Sequence, residues 1–231
     1  METFSIAIER DGLHRRLGGG FPRGCVAVIS GTYGAGKSAL CERFTYGFML
    51  NGVSVTYVST EMTATDFIQQ MKSLDYDVAD RIISKSLMFF PVLPIIGKVR
   101  SERSDFLRRL ISTTHLYDRD VLIVDTFSAL VKGEMNPQNA IEALSFFKKM
   151  SARGKVIILT MDPAEMGEEL LSPFKASAEV SFDIKTRIIE GELSRTLMVQ
   201  RYAKAKDYVS SVVGFRVEPN IGIIVDITTV A

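Results

Sequence analysis

The chain has 231 residues, 46% hydrophobic and 24% charged, enough to bury one sizeable α/β core without disulfide or metal staples. Its 28 Lys and Arg against 27 Asp and Glu leave a formal net charge of +1, so no global field draws it to nucleic acid or to an anionic membrane. Met1 to Arg16 carries charges and no apolar run of the signal-peptide kind, and Leu87 to Gly97, the longest apolar candidate, is broken by Pro91 and Pro94 short of the roughly 18 residues of a membrane span.

In chain order, Cys25 to Ser30 is a continuous apolar run, the pattern of a strand buried on both faces of a parallel sheet. A turn over Gly31 to Gly36 leads into a helix with Leu40, Phe44 and Phe48 on one face, stopped at Asn51-Gly52. Val53 to Thr60 is the next strand, ending at Glu61. Thr63 and Asp66 form a capping box for a helix striped by Phe67, Met71 and Leu74. Leu87 to Ser104 reads as irregular. Ser104 caps a helix with Phe106, Leu107, Leu110 and Ile111 inward. Val121 to Val124 is a strand ending at Asp125. Asn136-Pro137 opens a helix to about Arg153, and Lys155 to Thr160 is a strand after Gly154. Strand and helix alternate to this point, which calls for right-handed crossovers and a mostly parallel sheet. After Ala178, Val180–Lys185, Arg195–Tyr202, Val212–Glu218 and Gly222–Thr229 read as strands joined by turns at Glu190-Gly191-Glu192 and Asn220-Ile221-Gly222, an antiparallel extension of the same domain. The expectation is one α/β domain over residues 1–231. Cys25 and Cys41 fall in a strand and a helix, as reduced core residues of a cytoplasmic protein.

Gly31-Thr32-Tyr33-Gly34-Ala35-Gly36-Lys37-Ser38 matches the Walker A pattern in full and stands between an apolar strand and a helix, where the pattern has meaning. Glycines let backbone N–H groups turn inward as an anion nest, reinforced by the helix N-terminus; Ala39 continues that first turn. Lys37 reaches the β- and γ-phosphates and Ser38 places a hydroxyl on Mg²⁺, so ATP or ADP with Mg²⁺ is the expected ligand. Asp125 ends an apolar strand at the sheet edge where ligands bind, the place of a Walker B acid acting on Mg²⁺ through water. Glu61 also ends a strand. Polarising a water in line with the γ-phosphate is one role open to it, and offsetting a helix N-terminal dipole is the other. Thr160 ends a neighbouring strand, either to report the γ-phosphate or to close the strand end.

Leu17-Gly18-Gly19-Gly20-Phe21-Pro22-Arg23-Gly24 resembles the stretch leading into the first strand of RecA and KaiC-like ATPases. Glu61 matches the position of their catalytic glutamate, and Val124-Asp125-Thr126-Phe127-Ser128 resembles the KaiC-type Walker B segment. Tyr57 to Glu61, Gln70 to Val78, Phe146-Phe147-Lys148-Lys149 with Gly154-Lys155, Gly214 to Pro219 and Thr229-Val230-Ala231 resemble the archaellum (archaeal flagellar) ATP-binding family FlaH/ArlH. That resemblance runs over essentially the whole chain. It implies a RecA/KaiC-like fold and a regulatory ATP-binding role with weak or absent hydrolysis at the membrane-embedded base of the archaellum. It also implies hexameric rings, with the motor ATPase FlaI, the membrane platform protein FlaJ and a ring or scaffold component as partners. Thr60-Glu61 departs from the two adjacent glutamates frequent in KaiC-like enzymes, which bears on turnover and not on binding. Arg201 to Lys206 lies where ring-forming relatives place basic residues that reach a neighbour's γ-phosphate. Lys204 and Lys206 alternate on a strand face, for that task or as solvated edge lysines.

Other readings are an active ATPase using Glu61, a DNA-strand protein, disfavoured by charge and by the lack of a basic aromatic loop, and autophosphorylation, for which no acceptor stands out. Phe89 to Gly97 is a candidate partner surface.

Overall fold

The computed structural model describes residues 2–92, 105–189 and 191–226. A small antiparallel ribbon of β1 (Thr3–Ser5) and β2 (Gly20–Pro22), with the short α1 (Leu13–Arg16) between them, precedes the main sheet. Then follow β3 (Cys25–Ser30), α2 (Lys37–Leu50), β4 (Val55–Ser59), α3 (Ala64–Ser73), α4 (Ala79–Ile83) and β5 (Leu87–Pro91). Next come α5 (Phe106–Ser112), β6 (Val121–Asp125), α6 (Phe127–Leu130), α7 (Pro137–Ala152), β7 (Val156–Met161), α8 (Pro163–Met166) and α9 (Glu168–Ser177). The last described strands are β8 (Val180–Ile189), β9 (Glu192–Tyr202), β10 (Val212–Glu218) and β11 (Gly222–Asp226).

Nine described strands form one sheet in the order β11-β10-β9-β8-β3-β7-β6-β4-β5. From β8 to β5 the pairs are parallel, and from β8 outward to β11 they are antiparallel. The expected antiparallel extension is present, but its first strand, β8, belongs to both halves, since it also pairs in parallel with β3. The strand β3 shows how the sheet divides two cores. Cys25, Ala27 and Ile29 pack with Leu40, Phe44 and Phe48 of α2, while Val26 and Val28 pack with Phe147 of α7 and Phe174 of α9. A fully buried side chain of this kind contributes about 1.5–3 kcal/mol.

Several expectations are corrected. The segment after Leu87 is not irregular from its start: Leu87–Pro91 pairs in parallel with β4, and Pro91 is tolerated because β5 is an edge strand. The proposed cap Ser104 and residues 93–97 of the candidate partner surface lie outside the described residues, as do Glu190 of the expected turn and 227–229 of the last strand. The helix α5 begins after Asp105, and the carboxylate of Glu134 accepts from the N–H groups of Phe106 and Leu107 at 2.9 and 3.2 Å, a cap supplied by a distant residue. Glu168 and Glu169 sit in the first turn of α9, where their charge offsets the helix dipole. The Thr63–Asp66 capping box and the Asn136 cap with Pro137 behind it form as expected.

The helix α2 is not a one-sided amphipathic helix. Cys41, Glu42, Arg43 and Thr45 are buried along with its apolar residues: the N-terminal segment covers the side that carries Arg43, and Gln70 of α3 lies against Glu42. Arg43 donates to both oxygens of Asp11 at 2.7 Å and to the Ile6 carbonyl at 2.6 Å. Gly47 is what allows this approach, since a Cβ there would meet the Ile6 carbonyl oxygen at 2.6 Å.

Candidate nucleotide site

The parallel strands deliver their C-terminal ends side by side in the order β3, β7, β6, β4, and the sequence-derived site residues other than Lys204 and Lys206 converge on that edge. From Ser30 the chain enters the loop Gly31 to Gly36, pinned by the Gly31 N–H donating to the Met161 carbonyl at 3.1 Å and the Ala35 N–H donating to Thr32 at 3.1 Å. Gly34 and Gly36 hold φ of 75° and 99°, the left-handed region that turns successive N–H groups to one side. The helix α2 starts at Lys37 behind Gly36 with no side-chain cap, so its first N–H groups face the loop. Thr32, Tyr33 and Gly34 are exposed, Ala35 is buried, and Ser38 and Ala39 are half-buried. Lys37 is buried. Its Nζ donates to the carbonyls of Gly31 and Thr32 at 2.8 and 3.0 Å, and lies 3.9 Å from Asp162.

Asp125, 2% exposed, is gripped from both sides. Its Oδ2 accepts from the Tyr57 hydroxyl of β4 at 2.7 Å, and its Oδ1 accepts from the Thr160 hydroxyl of β7 at 2.8 Å. The Thr160 hydroxyl is thus directed to the acid. Ser38 and Asp125 are hard oxygen donors at a phosphate loop, a set that fits Mg²⁺ with the remaining positions left to water and phosphate.

Glu61 follows β4, with its N–H donating to Ser59 Oγ at 3.3 Å and its side chain reaching solvent above the cleft floor. Partial desolvation and then the Asp125 charge raise its pKa, against the pull of Lys37. Ser128 donates to Glu165 at 2.7 Å and accepts from the Asp162 N–H at 2.9 Å, which ties α6 and α8 to the end of β7.

Lys204 and Lys206 are not on a strand face. The strand β9 ends at Tyr202, Lys204 has φ of 60°, and both lysines are exposed in the connection to β10. Tyr202 pairs with Val180, the first residue of β8, so this connection lies at the end of the sheet opposite the phosphate loop.

Three neighbours of the site carry no sequence signal as such. Asp162 and Tyr57 are ordinary strand-end and strand residues until β4, β6 and β7 pair. Arg195 of β9 lies against the loop: a Cβ on Gly36 would meet its Cδ at 3.1 Å and its Nε at 3.2 Å. Its Nε is buried without a hydrogen-bond partner.

A family model described as ATPase: KaiC matches residues 7–227. The fold and the site define a KaiC-like ATPase of RecA type, and the chain belongs to that family. It is similar over its whole length to the archaeal flagellar ATP-binding protein FlaH of Methanocaldococcus jannaschii, at 38% identity covering 100% of this chain and 99% of the relative. The FlaH of Methanococcus voltae is 31% identical, with both chains covered in full. The crystal structure of flagellar accessory protein FlaH from M. jannaschii superposes with a TM-score of 0.93 at 37% identity, covering 98% of this chain and 100% of that one. Within the KaiC-like ATPases, the chain belongs to the FlaH family. A KaiC-like protein of Pyrococcus horikoshii, 18% identical with a TM-score of 0.74 over 97% of this chain and 99% of its own, shares the fold.

Proposed function

We propose that this chain is a regulatory ATP-binding subunit of the archaellum motor, in which nucleotide controls assembly and docking and hydrolysis is weak or absent. The observation that carries the reading is the phosphate cradle: a glycine loop in left-handed turns, the uncapped start of α2 and Lys37, all beside the buried acid Asp125. Gly31 to Ala39 would hold the phosphates by backbone N–H groups, and Lys37 would exchange its two carbonyl partners for phosphate oxygens. Arg195, with an unsatisfied N–H beside Gly36, joins the nucleotide-facing set. Ser38 and, through water, Asp125 would hold Mg²⁺, which neutralises phosphate charge when bound. The single carboxylate at Thr60-Glu61 supports slow turnover. Partners are then the motor ATPase FlaI, the membrane platform protein FlaJ and a ring or scaffold component, with the chain peripheral to the membrane and no nucleic acid involved. No described helix is long and apolar enough to cross a membrane itself.

The second reading, an active ATPase, is favoured by Glu61, whose carboxyl is shifted upward towards general-base chemistry beside Lys37. ATP and ADP binding and phosphate release, measured on wild type, Lys37→Ala, Arg195→Ala and Glu61→Gln, separate the two. Expected are ATP binding by wild type, its loss in Lys37→Ala, about tenfold weakening in Arg195→Ala, and negligible phosphate release throughout. Brisk release abolished by Glu61→Gln with binding intact makes the chain a working ATPase and overturns the regulatory reading.

A further inference from the structure

The carboxylate of Asp125 is held from two strands at once. In the parallel pairing of β4 with β6, Tyr57 stands opposite Ile123 and Ser59 opposite Asp125, so the phenol reaches diagonally along the α2 side of the sheet to the acid. On the other flank, Thr160 lies one residue beyond the Val124–Leu159 pair of β6 and β7. Each carboxylate oxygen takes one hydroxyl, at 2.7 and 2.8 Å, so the group cannot swing about its χ2 without breaking both bonds. A carboxylate offers about four lone-pair directions. Two are used, and the clamp fixes where the other two point.

The Tyr57 ring is itself immobilised. It is fully buried, with centroids 4.9 Å from Phe67 of α3 and 5.9 Å from Phe89 of β5. The phenol hydroxyl is the donor in this bond and a carboxylate oxygen the acceptor. A phenylalanine would fill the same space in this aromatic stack, and the hydroxyl is the part that packing does not require.

We propose that Tyr57 is a positioning residue for Mg²⁺ in the nucleotide site, fixing through its hydroxyl the orientation of the Asp125 carboxylate. The inference rests on the reading that Asp125 helps hold Mg²⁺. Ligand carboxylates depend on such outer partners for orientation, and losing one weakens metal affinity by about 10–100-fold.

The test uses the full chain and ADP as probe. ADP affinity is measured by calorimetry in EDTA and then over a series of Mg²⁺ concentrations, for wild type, Tyr57→Phe and Asp125→Asn. The expected result for Tyr57→Phe is unchanged ADP affinity in EDTA with an Mg²⁺ midpoint raised about tenfold. An unchanged midpoint makes the hydroxyl a satisfied core group and overturns the proposal, whatever happens to the melting temperature. An equal loss of affinity with and without Mg²⁺ also overturns it, since the phenol would then support the loop and not the metal. An unchanged midpoint in Asp125→Asn defeats the underlying Mg²⁺ reading separately. Should Tyr57→Phe fail to fold, 3-fluorotyrosine at position 57 keeps the hydroxyl and gives a second readout. Its ¹⁹F resonance is expected to shift when Mg²⁺ is added to the ADP complex, and a resonance that moves with ADP but not with Mg²⁺ overturns the proposal.

Discussion

Glu42 is a buried carboxyl group on α2, with Gln70 Nε2 of α3 donating to it at 3.4 Å and no cation paired with it among the described residues. Desolvation and then the Asp125 charge push its pKa to about 8. The folded state therefore keeps a proton that the unfolded chain releases near the ordinary carboxyl value. Stability is greatest below that value and falls as pH rises towards about 8. Glu42→Gln is expected to remove most of this slope and to melt roughly 5 °C above wild type at pH 8, at about 2–4 °C per kcal/mol for a chain of this size. Melting curves from pH 5 to 8.5 check it, and parallel slopes in the two proteins refute it. At this scale the sequence showed the residues whose type and spacing carry the chemistry: the glycines, Lys37, Ser38, Asp125. It could not show Tyr57 or Arg195, because a strand residue gains a role at the site only from what a neighbouring strand or loop sets beside it.

The helix α2 carries the loop's dipole, and its placement depends on an ion pair that local pattern does not reveal. Arg43 is fully buried and Asp11 1% exposed at the side chain, bonded two-to-two. A buried charge deprived of its partner costs about 3–5 kcal/mol, whereas replacing both by apolar groups is often neutral. Asp11→Asn is expected to lower the melting temperature by about 10 °C, and Asp11→Leu with Arg43→Met to restore most of it. A double variant as unstable as the single one rules this out. The helix α2 and the strand β5 give the same lesson. Asn51-Gly52 stopped the helix legibly and Leu40, Phe44 and Phe48 marked its inner face, but nothing in its own pattern showed that the N-terminal segment covers the side of Arg43. The strand β5 hid behind Pro91 because pairing with β4, and not its own pattern, makes it a strand.

For the whole molecule, the sheet has two ends with different tasks. The phosphate loop, Glu61, Asp125 and Asp162 occupy one end, and the connection carrying Lys204 and Lys206 the other. These lysines cannot serve this chain's own phosphates, which leaves the two readings of reaching a neighbouring copy and of solvated surface charge for the assembly to separate. Light scattering with Mg-ATP is expected to show growth of the wild-type assembly. Lys204→Ala with Lys206→Ala is expected to lose most of that growth while ADP affinity in dilute solution stays within about twofold, a difference of roughly 0.4 kcal/mol. Full growth of the double variant assigns the lysines to solvent. The sequence by itself determined the class of fold, the phosphate loop and the acid at the strand end, because periodicity and short motifs are properties of neighbours along the chain. Only the tertiary structure decided which side chains grip that acid, that β8 joins both halves of the sheet, and that the lysine turn lies far from the loop. Those facts depend on strand order and register, which long-range pairing sets and no local pattern encodes.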